Sequence, residues 1–167
     1  MDTVDSAIRS RIMSRVKGKN TAIEVRIRKA LFSKGLRYRL HTKDLPGHPD
    51  IVFPKYQAVL FVNGCFWHSH GCALATMPKS RVGYWKRKFD ENRTRDKRVN
   101  EQLLGSGWRV CIVWQCAIKN AHESFWNTFP DRIIHWLRSD TSLFEISSDM
   151  PKNALRSSRK KSSYSAR

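Results

Sequence analysis

A chain of 167 residues with a 40% hydrophobic composition can bury one real core. Its net charge of +18 exceeds what solubility requires and points to a polyanionic partner, attracted in a salt-sensitive way. No apolar run is long enough to cross a bilayer as a helix, and Met1-Asp2-Thr3-Val4-Asp5 lacks a leader's basic start, so a cytoplasmic protein without a membrane partner is expected. Four cysteines in that reducing setting suit metal ligation better than disulfides.

Residues 1–19 carry Arg9, Arg11, Arg15, Lys17 and Lys19 among few large apolar groups. They read as a basic arm that clasps DNA or, equally, as a solvated tail. Asn20 and Thr21 can cap a helix whose apolar stripe is Ile23, Val25, Ile27, Ala30 and Leu31, closed by Gly35. Glu24 falls in its first turn, where the helix dipole favours a carboxylate whatever else it does.

Leu36 to Leu40 reads as a strand, Leu45-Pro46-Gly47-His48-Pro49 as a rigid turn, and Asp50-Ile51-Val52-Phe53 as a second strand opening on an acid. Gln57 to Val62 makes a third. A long helix over Val82 to Leu104 carries Tyr84, Trp85 and Phe89 among many lysines and arginines, which suits phosphate contact. Trp108 to Trp114 is a strand and Ser124 to Leu137 a last helix. The predicted architecture is α/β: a mixed sheet flanked by helices, with a core domain over 20–140, the arm before it, and a basic, disordered tail over 141–167.

Cys65, His70 and Cys72 offer the soft ligands a tetrahedral zinc ion prefers, within one short loop. The fourth sulfur is Cys116 or Cys111. Phase favours Cys116, because Cys111 lies inside a strand and Cys116 just past its end. His68, between the ligands, is then free to act as a general base, unless it replaces His70 on the zinc. Phe66 and Trp67 would sit on a stiffened loop as an exposed pair able to wedge between bases, or would simply fill core. Hydrolysis of a phosphodiester calls for a hard divalent cation, and Asp50 with the backbone carbonyl near Val62 supplies oxygen ligands for magnesium.

Several blocks in order resemble the very short patch repair endonucleases of bacteria. They are Asn20-Thr21-Ala22-Ile23-Glu24, Leu45-Pro46-Gly47-His48-Pro49-Asp50, Phe61-Val62-Asn63-Gly64-Cys65-Phe66-Trp67-His68 with His70 and Cys72, Tyr84-Trp85 with Lys88, Asn92, Arg95 and Asp96, and Gly107-Trp108-Arg109-Val110 through Cys116. The resemblance implies a restriction-endonuclease-like fold, a structural zinc and catalytic magnesium. It implies nicking of the thymine strand of a T:G mismatch, left by 5-methylcytosine deamination, on the 5′ side of the thymine.

By that resemblance Asp50 and the Val62 carbonyl hold magnesium, His68 is the catalytic histidine, Glu24 orients water or His68, and Asn92 and Asp96 are polar positions beside the site. Cys65, His70, Cys72 and Cys116 match the zinc ligands. Phe66, Trp67 and Trp85 match aromatics that enter DNA from the major groove, and Met13 a group entering from the minor groove. Asn63 stands where the family often has a second histidine, which leaves it a hydrogen bond to phosphate, and no lysine follows Asp50 to offset charge.

The resemblance further implies a monomer in the bacterial cytoplasm, associated with the nucleoid, helped by mismatch-repair proteins and linked to a cytosine methyltransferase. Two alternatives stand beside it: a nicking or restriction-type enzyme with another DNA target, and a zinc-stabilised DNA-binding module without catalysis.

Overall fold

The computed structural model describes Ile8, residues 20–119 and residues 121–148. Met13 and most of the expected arm, and the tail from residue 149, lie outside the described residues.

Helix α1 (Ala22–Ser33) begins at a complete capping box, in which the Thr21 hydroxyl accepts from the Glu24 amide while the Glu24 side chain reaches back to the Thr21 backbone. Strands β1 (Arg39–Leu40), β2 (Ile51–Phe53) and β3 (Ala58–Asn63) follow, then helix α2 (Val82–Gly105), strand β4 (Arg109–Trp114), the short helix α3 (Gln115–Ile118), helix α4 (Glu123–Leu137) and strand β5 (Leu143–Ile146). The five strands lie in sequence order in one sheet. β1, β2 and β3 pair antiparallel, whereas β3–β4 and β4–β5 are parallel, each reached by a helical crossover.

Side-chain alternation decides what covers each face. Ile51, Phe53, Leu60, Cys111 and Val113 meet Ile27 and Leu31 of α1 and Trp126, Phe129, Ile133 and Trp136 of α4 in one core layer. Val52, Val59, Val110, Ile112 and Trp114 point to the opposite face, against Val99 and Leu103 of α2 and against Cys65. The predicted mixed sheet between helices is therefore present. No described helix is long and apolar enough to cross a membrane.

Two expectations are corrected. The strand read over Leu36 to Leu40 shrinks to Arg39–Leu40, because its partner β2 has only three residues before Pro54 opens a 3-10 turn. The core domain does not stop at residue 140. Leu143 to Ile146 form β5, paired with Val110 to Val113, and Ile146 is fully buried.

The turn before β2 sets the position of Asp50. Gly47 has φ +74, and a Cβ there would lie 2.5 Å from a methyl of Val99, so only glycine lets this turn lie against α2.

Candidate active site

Asp50 stands at the head of β2 beside the outgoing end of β3, and its Oδ2 accepts the Val62 amide at 2.8 Å. The N–H and C=O of one strand residue point to the same side. The Val62 carbonyl therefore also faces the open end of the sheet, beyond the last β2–β3 pair, Ile51 with Leu60. Burial pushes the Asp50 carboxyl above the usual carboxylate range, and the Glu24 charge adds to the rise; the Val62 amide, His41 and Arg28 oppose it. A desolvated carboxylate beside a backbone carbonyl, with a second carboxylate acting through its charge, makes an oxygen donor set suited to a hard cation.

A cavity of about 590 Å³ opens here, and Asp50, Val62, Asn63, His68 and Asp96 all line it. His68 comes from the loop after β3 and Asp96 from the middle of α2, and His68 Nδ1 lies 2.5 Å from Asp96 Oδ2. Burial alone would raise the Asp96 pKa, but its hydrogen bond and charge interaction with His68, and the Arg95 guanidinium, outweigh it and hold the carboxyl below the ordinary value. A carboxylate only accepts, so the His68 proton sits on Nδ1 and Nε2 is left as a lone pair.

Asn92 does not line that cavity. It is buried on α2, and its Nδ2 donates to the Trp67 carbonyl at 2.7 Å, pinning the loop that carries His68. Glu24 is likewise engaged: its carboxylate takes the Asn20 amide, the Thr21 hydroxyl and the Arg28 guanidinium. It reaches Asp50 through its charge.

On the other side of the same loop, the ligand atoms of Cys65, His70, Cys72 and Cys116 all lie within 4.8 Å of one another. Four ligands about 2.0–2.3 Å from a shared tetrahedral ion would be roughly 3.5–4 Å apart, so this donor set fits a soft cation such as zinc. Cys111 is buried in the opposite core layer, as its phase predicted. The structure places His70 among the sulfurs and His68 against Asp96. The His70 ring stacks on Trp114 at 3.9 Å.

Burial, with the crowding of neighbouring thiols, pushes Cys65 up to about 12. Burial also acts to raise Cys116, but hydrogen bonds from Ser148 and the neighbouring thiols hold it below the ordinary thiol value.

The aromatics gather above this loop but are less exposed than the sequence suggested. Phe66 packs edge-on against Trp67 and Trp85 at 5.2 Å each and against buried Phe89 at 5.4 Å. Phe66, Trp67 and Trp85 are half-buried, and Tyr84, beside Trp85, is the exposed member.

Sequence reading missed Arg28, His41 and His48. The two histidines line the cavity, both with positive φ, and Arg28 is buried against Glu24. No periodicity or spacing marks Arg28 or His41, since only the fold brings α1 and the turn at His41 to Asp50, whereas His48 sits in the turn just before Asp50.

The profile of the DNA mismatch endonuclease Vsr family matches residues 1–74. The chain is 37% identical over 145 residues to the DNA mismatch endonuclease Vsr of Escherichia coli, covering 87% of this chain and 93% of that protein. It belongs to the Vsr endonuclease family. Membership makes it a DNA endonuclease, a phosphodiester hydrolase. Relatives described as type II nicking enzymes stand beside it: one from Xanthomonas oryzae is 50% identical over 119 residues, 71% of this chain and 88% of its own length. Another, from Neisseria meningitidis, is 40% identical over 119 residues, 71% and 85% of the two chains.

Proposed function

We propose that this Vsr-family endonuclease nicks the thymine strand of a T:G mismatch, 5′ of the thymine, using magnesium at Asp50 on a restriction-endonuclease-like sheet. One observation carries the reading: Asp50 and the His68–Asp96 pair line a single cavity. Magnesium held by Asp50 and the Val62 carbonyl would draw charge from the scissile phosphate and steady the leaving oxygen.

The chain's own residues do the rest. His68 Nε2 takes the proton of the attacking water, and Asp96 is the positioning residue that fixes its tautomer. Asn63 donates to a phosphate oxygen. Glu24 tunes Asp50 by charge, while Arg28 supplies the positive offset that a lysine after Asp50 would otherwise give. Asn92 holds the loop. Cys65, His70, Cys72 and Cys116 would hold a zinc ion, which would keep that loop rigid. Phe66, Trp67 and Trp85 open the stack beside the mismatch, a step favoured when flat apolar rings replace the base contacts they disrupt. Met13 enters from the minor groove, the arm over 1–19 clasps the duplex, and the basic face of α2 meets phosphates. The enzyme acts as a monomer on double-stranded DNA.

A second reading keeps the enzyme and changes its target, since relatives up to 50% identical are described as type II nicking enzymes. Nicking of matched and T:G duplexes, by the wild type and by Asp50→Ala, separates the two. We expect cutting confined to the thymine strand of T:G duplexes, abolished in Asp50→Ala while binding persists. Equal cutting of matched DNA favours the second reading. Near wild-type nicking by Asp50→Ala overturns the role given to that carboxylate.

A further inference from the structure

His41 lines the cavity that holds Asp50, and Arg28 stands behind it. Arg28, nearly buried on α1, reaches Asn20 Oδ1 at 2.6 Å, Glu24 Oε2 at 2.8 Å and His41 Nε2 at 3.0 Å. A guanidinium only donates. His41 Nε2 must therefore accept, which places the ring proton on Nδ1. The 3.4 Å approach of the same Nε2 to Asn20 Oδ1 then sets acceptor against acceptor, and Asn20 Oδ1 is satisfied by Arg28 instead.

Among the described residues His41 Nδ1 has no hydrogen-bond partner. The residue sits at φ +48, in the left-handed region, and its ring lines the cavity that holds Asp50. A strained backbone therefore presents a half-buried imidazole whose tautomer is locked from behind and whose remaining donor is unspent. The nearby carboxylates of Asp50 and Glu24 repel an oxyanion, so a phosphate drawn to this end needs donors aimed at it.

We propose that His41 is a substrate-binding residue whose Nδ1–H donates to a non-bridging oxygen of a DNA backbone phosphate, with Arg28 positioning its ring. The proposal rests on DNA as the substrate but not on the mismatch, because a backbone contact carries no sequence information. It also differs in kind from a lysine or arginine contact. A neutral donor displaces no condensed counterion and leaves the salt slope of binding intact, whereas losing a cationic contact lowers that slope by about one.

The test uses the full chain carrying Asp50→Ala, so that binding is read without cutting. Affinity for T:G and matched duplexes is measured over a salt series, with His41→Leu, His41→Gln or Arg28→Lys added. His41→Leu and Arg28→Lys should each weaken both duplexes about tenfold at an unchanged salt slope. His41→Gln should stay within about threefold, since its amide can both accept from Arg28 and donate to phosphate. In nicking assays on the chain with Asp50 intact, the loss should fall on KM rather than kcat.

Histidine ¹⁵N shifts of the free protein should show the proton of His41 on Nδ1, a readout independent of how the variants fold. Wild-type affinity in His41→Leu, a salt slope lowered by one in that variant, or a proton found on Nε2 each overturns the proposal. Equal binding of T:G and matched DNA with the His41 effect retained removes the mismatch reading and supports this one. T:G-specific nicking without a His41 effect does the reverse.

Discussion

At the scale of single residues, Asp50 shows function set against stability. Its carboxyl is raised by burial and by Glu24, so the folded protein holds that proton more tightly than the unfolded chain does. The sign follows directly: the stability due to this group is present below its ordinary value of 3.8 and is lost as pH rises through the raised folded value. At neutral pH the ionised carboxylate therefore works against folding. Asp50→Asn, whose amide oxygen can still accept the Val62 amide, should melt higher than wild type at pH 7.5 in metal-free buffer while its nicking disappears. Each kcal/mol recovered corresponds to roughly 2–4 °C in a chain of this size. The gap should narrow as the pH is lowered through the raised folded value, and thermal scans showing an equal or lower melting point at pH 7.5 would refute this account. Asp96 has the opposite sign: its lowered value contributes stability that persists at neutral pH and is lost only as pH falls below 3.8. The two carboxylates of one cavity thus pull stability in opposite directions.

At the scale of elements, Arg109 ties the sheet to the last long helix. From the start of β4 its guanidinium donates to the carbonyls of Trp136, Leu137, Ser139 and Tyr56, satisfying the end of α4 that no further helical turn covers. Arg109→Met keeps much of the apolar stem but removes the donor to the Leu137, Ser139 and Tyr56 carbonyls, whereas the Trp136 carbonyl still accepts from Ser139. The expected loss is about 2–4 kcal/mol, or roughly 4–16 °C in melting temperature, with kcat unaffected at temperatures where the variant stays folded. A change below about 1 °C would mean that water replaces the guanidinium without penalty. Elements also mark how far the sequence could be read. β4 was legible because β-branched and aromatic residues alternate between two core layers, and the same alternation placed Cys111 in the core and left Cys116 for the metal cluster. β5 was not, since Leu143-Phe144-Glu145-Ile146 is short and becomes a strand only through parallel pairing with β4, a contact across about thirty residues. The Arg28–His41 contact was hidden for the same reason: it depends on how α1 meets a distant turn.

At the scale of the whole molecule, the loop between β3 and α2 joins the proposed proton transfer, the Cys–His cluster and the aromatic wedge. Within nine residues it supplies three members of the Cys–His cluster, the His68 that meets Asp96, and the Phe66–Trp67 pair that packs on α2, while Cys116 ties it to the end of β4. Its backbone has little regular structure of its own, so without an ion the three thiols share a pocket in which burial and mutual crowding push Cys65 up to about 12. Binding a divalent cation to such a cluster releases protons and is itself folding free energy. The two proposed metals should therefore separate experimentally. Brief chelation that strips only the weakly held ion at Asp50 should stop nicking, with the melting temperature nearly unchanged and activity restored by magnesium alone. Exhaustive extraction at low pH, or Cys65→Ala, should lower the melting temperature by several degrees and expose the Trp67 and Trp85 fluorescence to solvent, because His68 and the aromatics lose their common support. Magnesium should not reverse that second state, whereas zinc should restore the extracted wild type but not Cys65→Ala. Were magnesium alone to recover the extracted protein, the cluster would be dispensable, and the rigid loop on which both wedging and proton transfer depend would need another cause.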